Sequence, residues 1–93
     1  MGAHIALLSN PTAGKGHARR ASEIVERWLR EQGEDVRVHV GTTVEETRTL
    51  AAQAVAAQPS ALIVVGGDGT LSCVLDAVLD HDVPLGLIPA GTG

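Results

Sequence analysis

Two rhythms of apolar residues alternate along the chain. Residues 4–8, His4-Ile5-Ala6-Leu7-Leu8, make a compact apolar run of the kind that forms a central strand buried on both faces. Turn formers follow at once in Ser9-Asn10-Pro11-Thr12-Ala13-Gly14-Lys15-Gly16. Residues 17–32 then place Ala18, Ala21, Ile24, Val25, Trp28 and Leu29 at helical spacing, which predicts one inward stripe with Trp28 in the core. Glu23/Arg27 and Glu26/Arg30 stand at i,i+4 on the wet side, and Gly33 is a natural stop. Val36, Val38 and Val40 alternate with Arg37 and His39, the period of a half-exposed edge strand. Thr43-Val44-Glu45-Glu46 has the spacing of a capping box. The helix it opens runs to about Ala57, with Leu50, Ala51, Ala54 and Val55 inward and Pro59 beyond. A second apolar run, residues 61–65, stops at Gly66 and Gly67, and Leu71, Val74, Leu75, Val78 and Leu79 mark a third helix as its inward positions. Residues 84–88 form a fourth strand before Pro89-Ala90-Gly91-Thr92-Gly93.

The order βαβαβαβ predicts an α/β fold, an open parallel sheet in three layers with helices on both faces. The second strand reads as an edge and the first and third as central, so the expected strand order is 2-1-3-4. That order reverses direction between strands one and three. Ligands of open α/β sheets bind outside the carboxyl ends of the strands at such a switch point. The two loops flanking it are residues 10–16 and 66–70, so both glycine-rich loops converge on one crevice.

Composition narrows the picture. Ninety-three residues suffice for one domain. With no Phe or Tyr and one Trp, the core is built from Ala, Val, Leu and Ile. A net charge of −4 speaks against a nucleic-acid role driven by bulk electrostatics. Cys73 stands alone, so no internal disulfide forms and a reducing cytoplasm fits. No apolar run approaches the roughly 18 residues of a membrane span, and Met1 leads straight into a strand pattern, so lipid contact is expected to be peripheral.

The chemistry lies in the loops. A helix start after two glycines offers free amide N–H groups and the positive end of the helix dipole to an anion, and glycine lets the backbone approach a phosphate. The same stretch, residues 66–70, also reads as an ordinary helix start capped by Asp68 or Thr70. The second glycine loop at the same edge favours the anion site. Asp68 would repel a bare phosphate, and its alternatives are the cap, a Mg²⁺ ion or a ribose hydroxyl. The first loop carries Gly14-Lys15 but is no P-loop: Ser9 stands where the first glycine belongs, and Gly16 follows the lysine. Lys15 alone is an ordinary surface lysine. Thr43 is committed to capping, which leaves Thr42 free to reach a ligand. His4, His17, His39 and His81 lack metal-ligand spacing and most read as surface residues, and Cys73 as a small buried side chain.

Together, Asn10-Pro11-Thr12-Ala13-Gly14-Lys15-Gly16, Gly66-Gly67-Asp68-Gly69-Thr70-Leu71 and Pro89-Ala90-Gly91-Thr92 resemble the three signature loops of the diacylglycerol kinase catalytic domain family, which includes bacterial lipid kinases and sphingosine and ceramide kinases. The Gly-Gly-Asp-Gly-Thr turn alone is shared with NAD kinases and is similar to the phosphofructokinase loop. The resemblance implies a nucleotide-binding domain of that kind, transferring the γ-phosphoryl group of ATP to a lipid hydroxyl with Mg²⁺. The nucleotide-binding positions it implies are Asn10, Pro11, Thr12, Ala13, Gly14, Thr42, Gly66, Gly67, Asp68, Gly69, Thr70, Leu71 and Thr92. It assigns no catalytic residue here beyond a contribution from Asp68. Ser72-Cys73 stands where the family commonly has Asn-Glu. The family's second, β-rich domain, with the lipid pocket, much of the metal site and the general base, is expected beyond Gly93. Residues 1–93 are thus read as the nucleotide-binding half of a two-domain kinase, inactive alone. Rival readings are an NAD kinase-type enzyme and a non-catalytic nucleotide-binding module. A homodimer through an exposed apolar patch is a further expectation.

Overall fold

A computed structural model describes residues 3–10, 17–79 and 81–89. The elements alternate as β1 (Ile5–Ser9), α1 (His17–Glu31), β2 (Val36–Val40), α2 (Val44–Ala56), β3 (Ala61–Gly66), α3 (Asp68–Val78) and β4 (Leu85–Pro89). All strand pairs are parallel, in the order β2-β1-β3-β4, the order expected from the hydrophobic pattern.

Burial explains that order. Ala6, Leu7 and Leu8 of β1 and Leu62, Val64 and Val65 of β3 are fully buried, because helices cover both faces of these strands. In β2 only Val36 is buried, while Arg37, Val38 and Val40 are exposed. Parallel strands joined by right-handed crossovers put the connections on defined faces. α1 lies on one face, where Ala18 and Leu29 meet Leu7, Val36 and Val65. α2 and α3 lie on the other and pack on each other, with Ala51, Ala54, Val55 and Val74 over Ala6, Leu8, Leu62 and Val64.

α1 ends in a Schellman motif. Gly33 adopts a left-handed φ of 87°, its N–H donates to the Arg30 carbonyl (3.0 Å), and the Glu34 N–H donates to the Leu29 carbonyl (3.1 Å). Arg30 then ties the last turn of α1 to β2 through the Val36 carbonyl at 3.0 Å. The Glu26–Arg30 pair forms at 3.0 Å, but Glu23 meets Arg19 at 3.7 Å, one turn earlier than the Arg27 expected for it.

Several inward assignments are corrected. Trp28 is 58% exposed and Ile24 62%; they stand on the outer side of α1. Leu75 and Leu79 of the third helical pattern are exposed too, and the inward residues of α3 are Thr70, Cys73 and Val74. The reason is steric. These helices touch the sheet through short side chains such as Ala18 and Ser22, which allow close approach and leave bulky neighbours no room beneath. His4 is also buried, contrary to the surface expectation, whereas His17 and His81 are exposed.

Truncating a central strand and truncating the tryptophan should therefore differ sharply in cost. Leu8→Ala is expected to destabilise by about 3 kcal/mol, as large-to-small changes at fully buried sites do. Trp28→Ala is expected to cost less than about 1 kcal/mol. Urea unfolding of dilute protein measures both, and equal losses would contradict the exposed placement of Trp28.

Candidate functional site

The register of the central pair builds the site. Ser9 of β1 is level with Val65 of β3, and Ser9 is also level with Val40 of β2. The three strands end at one height, and the Gly41 N–H donates to the Ser9 carbonyl (3.0 Å), holding the exit of β2 against that of β1. Asn10, Gly67, Gly69 and Thr70 consequently line one cavity of about 240 Å³, walled on the α2 side by Val44 and Thr47 and floored by Cys73. Larger hollows lie along α1: two, of about 320 and 540 Å³, are walled by the side chains of that helix alone, and a third, of about 350 Å³, lies between α1 and the ends of β1 and β2, with Ser9, Val38 and Val40 in its lining, away from the glycine start of α3.

Two glycines set the walls. A Cβ at Gly41 would stand 2.6 Å from the Thr47 hydroxyl and 2.9 Å from its Cα. A Cβ at Gly66 would stand 2.7 Å from the Thr70 hydroxyl. Each strand thus ends on a glycine that lets a buried threonine of the following helix press against the backbone. Thr47 and Thr70 are both buried, and both face the cavity.

The two helix starts at this edge differ in kind. At α2 the Thr43 hydroxyl accepts from the Glu46 N–H at 3.1 Å, the cap expected from the sequence. The Glu46 carboxylate then accepts from both the N–H (2.7 Å) and the hydroxyl (3.0 Å) of Thr42. This corrects the expectation that Thr42 stands free: its two donors are bound by its own helix. At α3 the N-cap is Gly67, with no side-chain hydrogen bond, so neither Asp68 nor Thr70 caps the helix. Its own bonding begins with the Leu71 N–H to the Gly67 carbonyl at 3.1 Å, and the amides of Asp68, Gly69 and Thr70 precede it. Among the described residues the space beside Gly67 and Gly69 is open: a Cβ built at either meets none of their atoms within 4 Å. The start of α2 is closed by side chains, and that of α3 has no side-chain cap among the described residues.

Asn10, Thr42, Gly66, Gly67, Asp68, Gly69, Thr70 and Leu71 thus fall at the carboxyl edge, and of these Asn10, Gly67, Gly69 and Thr70 line the common cavity. Pro11, Thr12, Ala13, Gly14 and Thr92 lie outside the described residues. Val44, Thr47 and the cavity role of Cys73 escaped the sequence reading. A signal for Thr47 exists: it is a polar residue on the inward stripe of α2, one turn before Ala51. Among the described residues no group of three or more His, Cys, Asp or Glu is placed to hold a metal ion. His39, on β2, is pushed below the usual imidazole value by burial and then by His4 and Arg37, which favours its neutral form.

The Thr42–Glu46 contact predicts a pH dependence. The Thr42 N–H, and after it the Thr42 hydroxyl, hold the Glu46 carboxyl below its ordinary value of 4.5. Because the folded value lies below the unfolded one, the contribution to stability is complete above about pH 4.5 and disappears as pH falls through the lower folded value. Carbon-13 titration of the carboxyl should give a midpoint below 4.5. Thr42→Ala, which keeps the N–H but loses the hydroxyl, should move it part of the way back. A wild-type midpoint at or above the ordinary value would refute the contact.

Comparison with known proteins agrees with this fold. The model of the diacylglycerol kinase catalytic domain matches residues 4–93. A diacylglycerol kinase of Mycobacterium tuberculosis is 42% identical over 89 residues, covering 96% of this chain and 29% of the relative. A diacylglycerol kinase of Bacillus subtilis is 30% identical over 88 residues, and sphingosine kinase B of Dictyostelium discoideum 26% over 96. A solved structure of a candidate diacylglycerol kinase from Bacillus anthracis superimposes with a TM-score of 0.78 over 96% of this chain and 33% of its own. At 24% identity that likeness speaks for the fold alone. The chain spans less than a third of the length of these bacterial relatives. With the family model matched along nearly its whole length, this chain belongs to the diacylglycerol kinase catalytic domain family.

Proposed function

We propose that this chain is the ATP-binding half of a two-domain lipid kinase, which transfers the γ-phosphoryl group of ATP to a lipid hydroxyl such as that of diacylglycerol. One observation carries the reading: the α3 start has no side-chain cap and opens beside Asn10 at the switch point of the sheet. Phosphoryl transfer asks the protein mainly for positioning and for stabilisation of negative charge, and backbone amides at a helix start supply both. The amides of Asp68, Gly69 and Thr70 would take the phosphates, with Asn10 fixing the nucleotide from β1. Glu46, bound to Thr42, keeps its carboxylate engaged at the start of α2.

Mg²⁺ is the proposed cofactor. The described residues do not themselves build its site, since no cluster of three ligands is present among them. Asp68 is the carboxylate at the α3 start and the residue here suited to meet a phosphate-borne cation or a ribose hydroxyl. The acceptor pocket and the general base are assigned to the second domain of the proposed enzyme. Among the described residues no helix is long and apolar enough to cross a membrane. A cytoplasmic enzyme meeting its lipid peripherally is the reading that accompanies this one.

Calorimetric titration tests the proposal with ATP·Mg²⁺, NAD and FMN as ligands. ATP·Mg²⁺ is expected to bind and the other two to fail. Gly67→Ala and Gly69→Ala meet no atom of the described residues, so they should leave the unfolding midpoint unlowered. They should nonetheless weaken ATP binding by about tenfold or more, because the methyl group stands where a phosphate must approach. Undiminished ATP affinity in both variants, or binding of NAD in its place, would overturn the reading.

A further inference from the structure

The hollow of about 350 Å³ between α1 and the ends of β1 and β2 lies on the other face of the sheet from the cavity beside Asn10. Side chains alternate along β1, so Ser9 points with Leu7 to the α1 face. There it lines the hollow together with Ser22 of α1, and the two serines are only 2% and 6% exposed. Among the described residues neither hydroxyl has a hydrogen-bond partner, and neither oxygen is sealed off from the hollow. The contrast with α2 is direct. The Thr47 and Thr49 hydroxyls turn back to the carbonyls four residues earlier, at 2.7 and 3.1 Å, and Ser22 forms no such bond. A buried hydroxyl left without a partner costs about 1–3 kcal/mol, so two of them at one hollow mark a place where a ligand's polar group is wanted.

The rest of the wall sets the chemistry. Val38 and Val40 line the hollow from β2 and offer it apolar surface. On the α1 side Glu23 is engaged by Arg19 and Glu26 by Arg30. Two glutamates at the rim disfavour an anion, and their pairing removes the free charge that a cation would need. Serine hydroxyls both donate and accept. Apolar walls with a few convergent polar groups, at a volume within roughly 300–1,000 Å³, are the make-up of a small-molecule pocket. We infer that this hollow binds a small uncharged molecule whose apolar body lies on Val38 and Val40 and whose hydroxyl exchanges hydrogen bonds with Ser9 and Ser22. Water would satisfy the serines and leave the valines wetted, whereas such a molecule serves both. The hollow shares no residue with the cavity beside Asn10, so this site and nucleotide binding are separately testable.

Benzyl alcohol, toluene, benzoate and benzylammonium share one ring and differ in the polar group, which makes them the probes. In NMR titrations benzyl alcohol should shift the Val38 and Val40 methyl signals saturably, with a Kd in the millimolar range. The other three should bind at least about threefold more weakly, the loss of one net hydrogen bond. Ser9→Ala and Ser22→Ala should each weaken benzyl alcohol by about threefold or more and leave toluene within about twofold. Because neither hydroxyl has a partner among the described residues, the same variants should keep the unfolding midpoint. Valine signals that do not saturate with benzyl alcohol, or tighter binding of benzoate or benzylammonium, would overturn the proposal. So would undiminished benzyl alcohol affinity in both serine variants, which would leave the hydroxyls to water. Displacement of benzyl alcohol by ATP·Mg²⁺ would overturn it too, by assigning the hollow to the nucleotide.

Discussion

The parallel pairing of β1 with β3 is the constraint on which the site depends. Ile5 lies level with Ala61 and Ser9 with Val65, so the two strands end together although a helix, a strand and another helix separate them in the chain. β2 flanks β1 on one side and β4 flanks β3 on the other. The two central strands therefore send their chains away on opposite faces, β1 into α1 and β3 into α3. A gap is expected where the strand order reverses, and nowhere else in a four-stranded sheet of this order does that happen. Asn10 and Gly67 meet because of that topology, with no side-chain attraction needed.

Within the gap, the contrast between two helix starts decides what the edge offers. α2 satisfies its first amides with its own side chains, through Thr43 and then Glu46. α3 begins on glycine, with no side-chain cap among the described residues and the Asp68 carboxylate in its first turn. On the nucleotide reading, an anion would meet the second of these. The glycines divide the labour. Gly41 and Gly66 let Thr47 and Thr70 pack against the strand ends, while Gly67 and Gly69 keep the approach clear. A substitution at the first pair would push on protein atoms, and one at the second pair would meet none of the described residues.

Much of this was legible in the sequence, and the gaps share a cause. Strand identity and order followed from burial alone: β1 and β3 read as uninterrupted apolar runs, and β2 showed Arg37 and His39 between its valines. The cap at Thr43 was legible because capping is local chemistry with fixed spacing. The errors fell where a wide apolar stripe met a narrow contact. α1 carries Ile24, Val25, Trp28 and Leu29, too broad an arc for one side of a sheet, and periodicity does not say which part of the arc is seated. Ala18, Ser22 and Leu29 take the contact, and Trp28 is left outside. Thr42 was misread for a related reason. A capping box predicts that Glu46 turns back toward the cap, yet its carboxylate reaches one residue further, to the amide and hydroxyl of Thr42.

The departure from the family pattern at Ser72-Cys73 takes on a physical meaning beside these observations. Ser72 is exposed, and Cys73 is buried in the cavity floor. Where the family pattern invoked from the sequence would place a carboxylate, this chain has a thiol that contributes bulk and no charge. A site that held phosphate by side chains would lose a contact through such an exchange. A site that holds it by the amides of Asp68, Gly69 and Thr70 loses none of its donors, and with one carboxylate fewer on its wall it repels an anion less. The missing carboxylate also belongs with the lack of a metal-binding cluster among the described residues. On the nucleotide reading, then, this half of the kinase would contribute shape and backbone dipoles, and the cation would be held largely by the phosphates and by whatever the second domain brings.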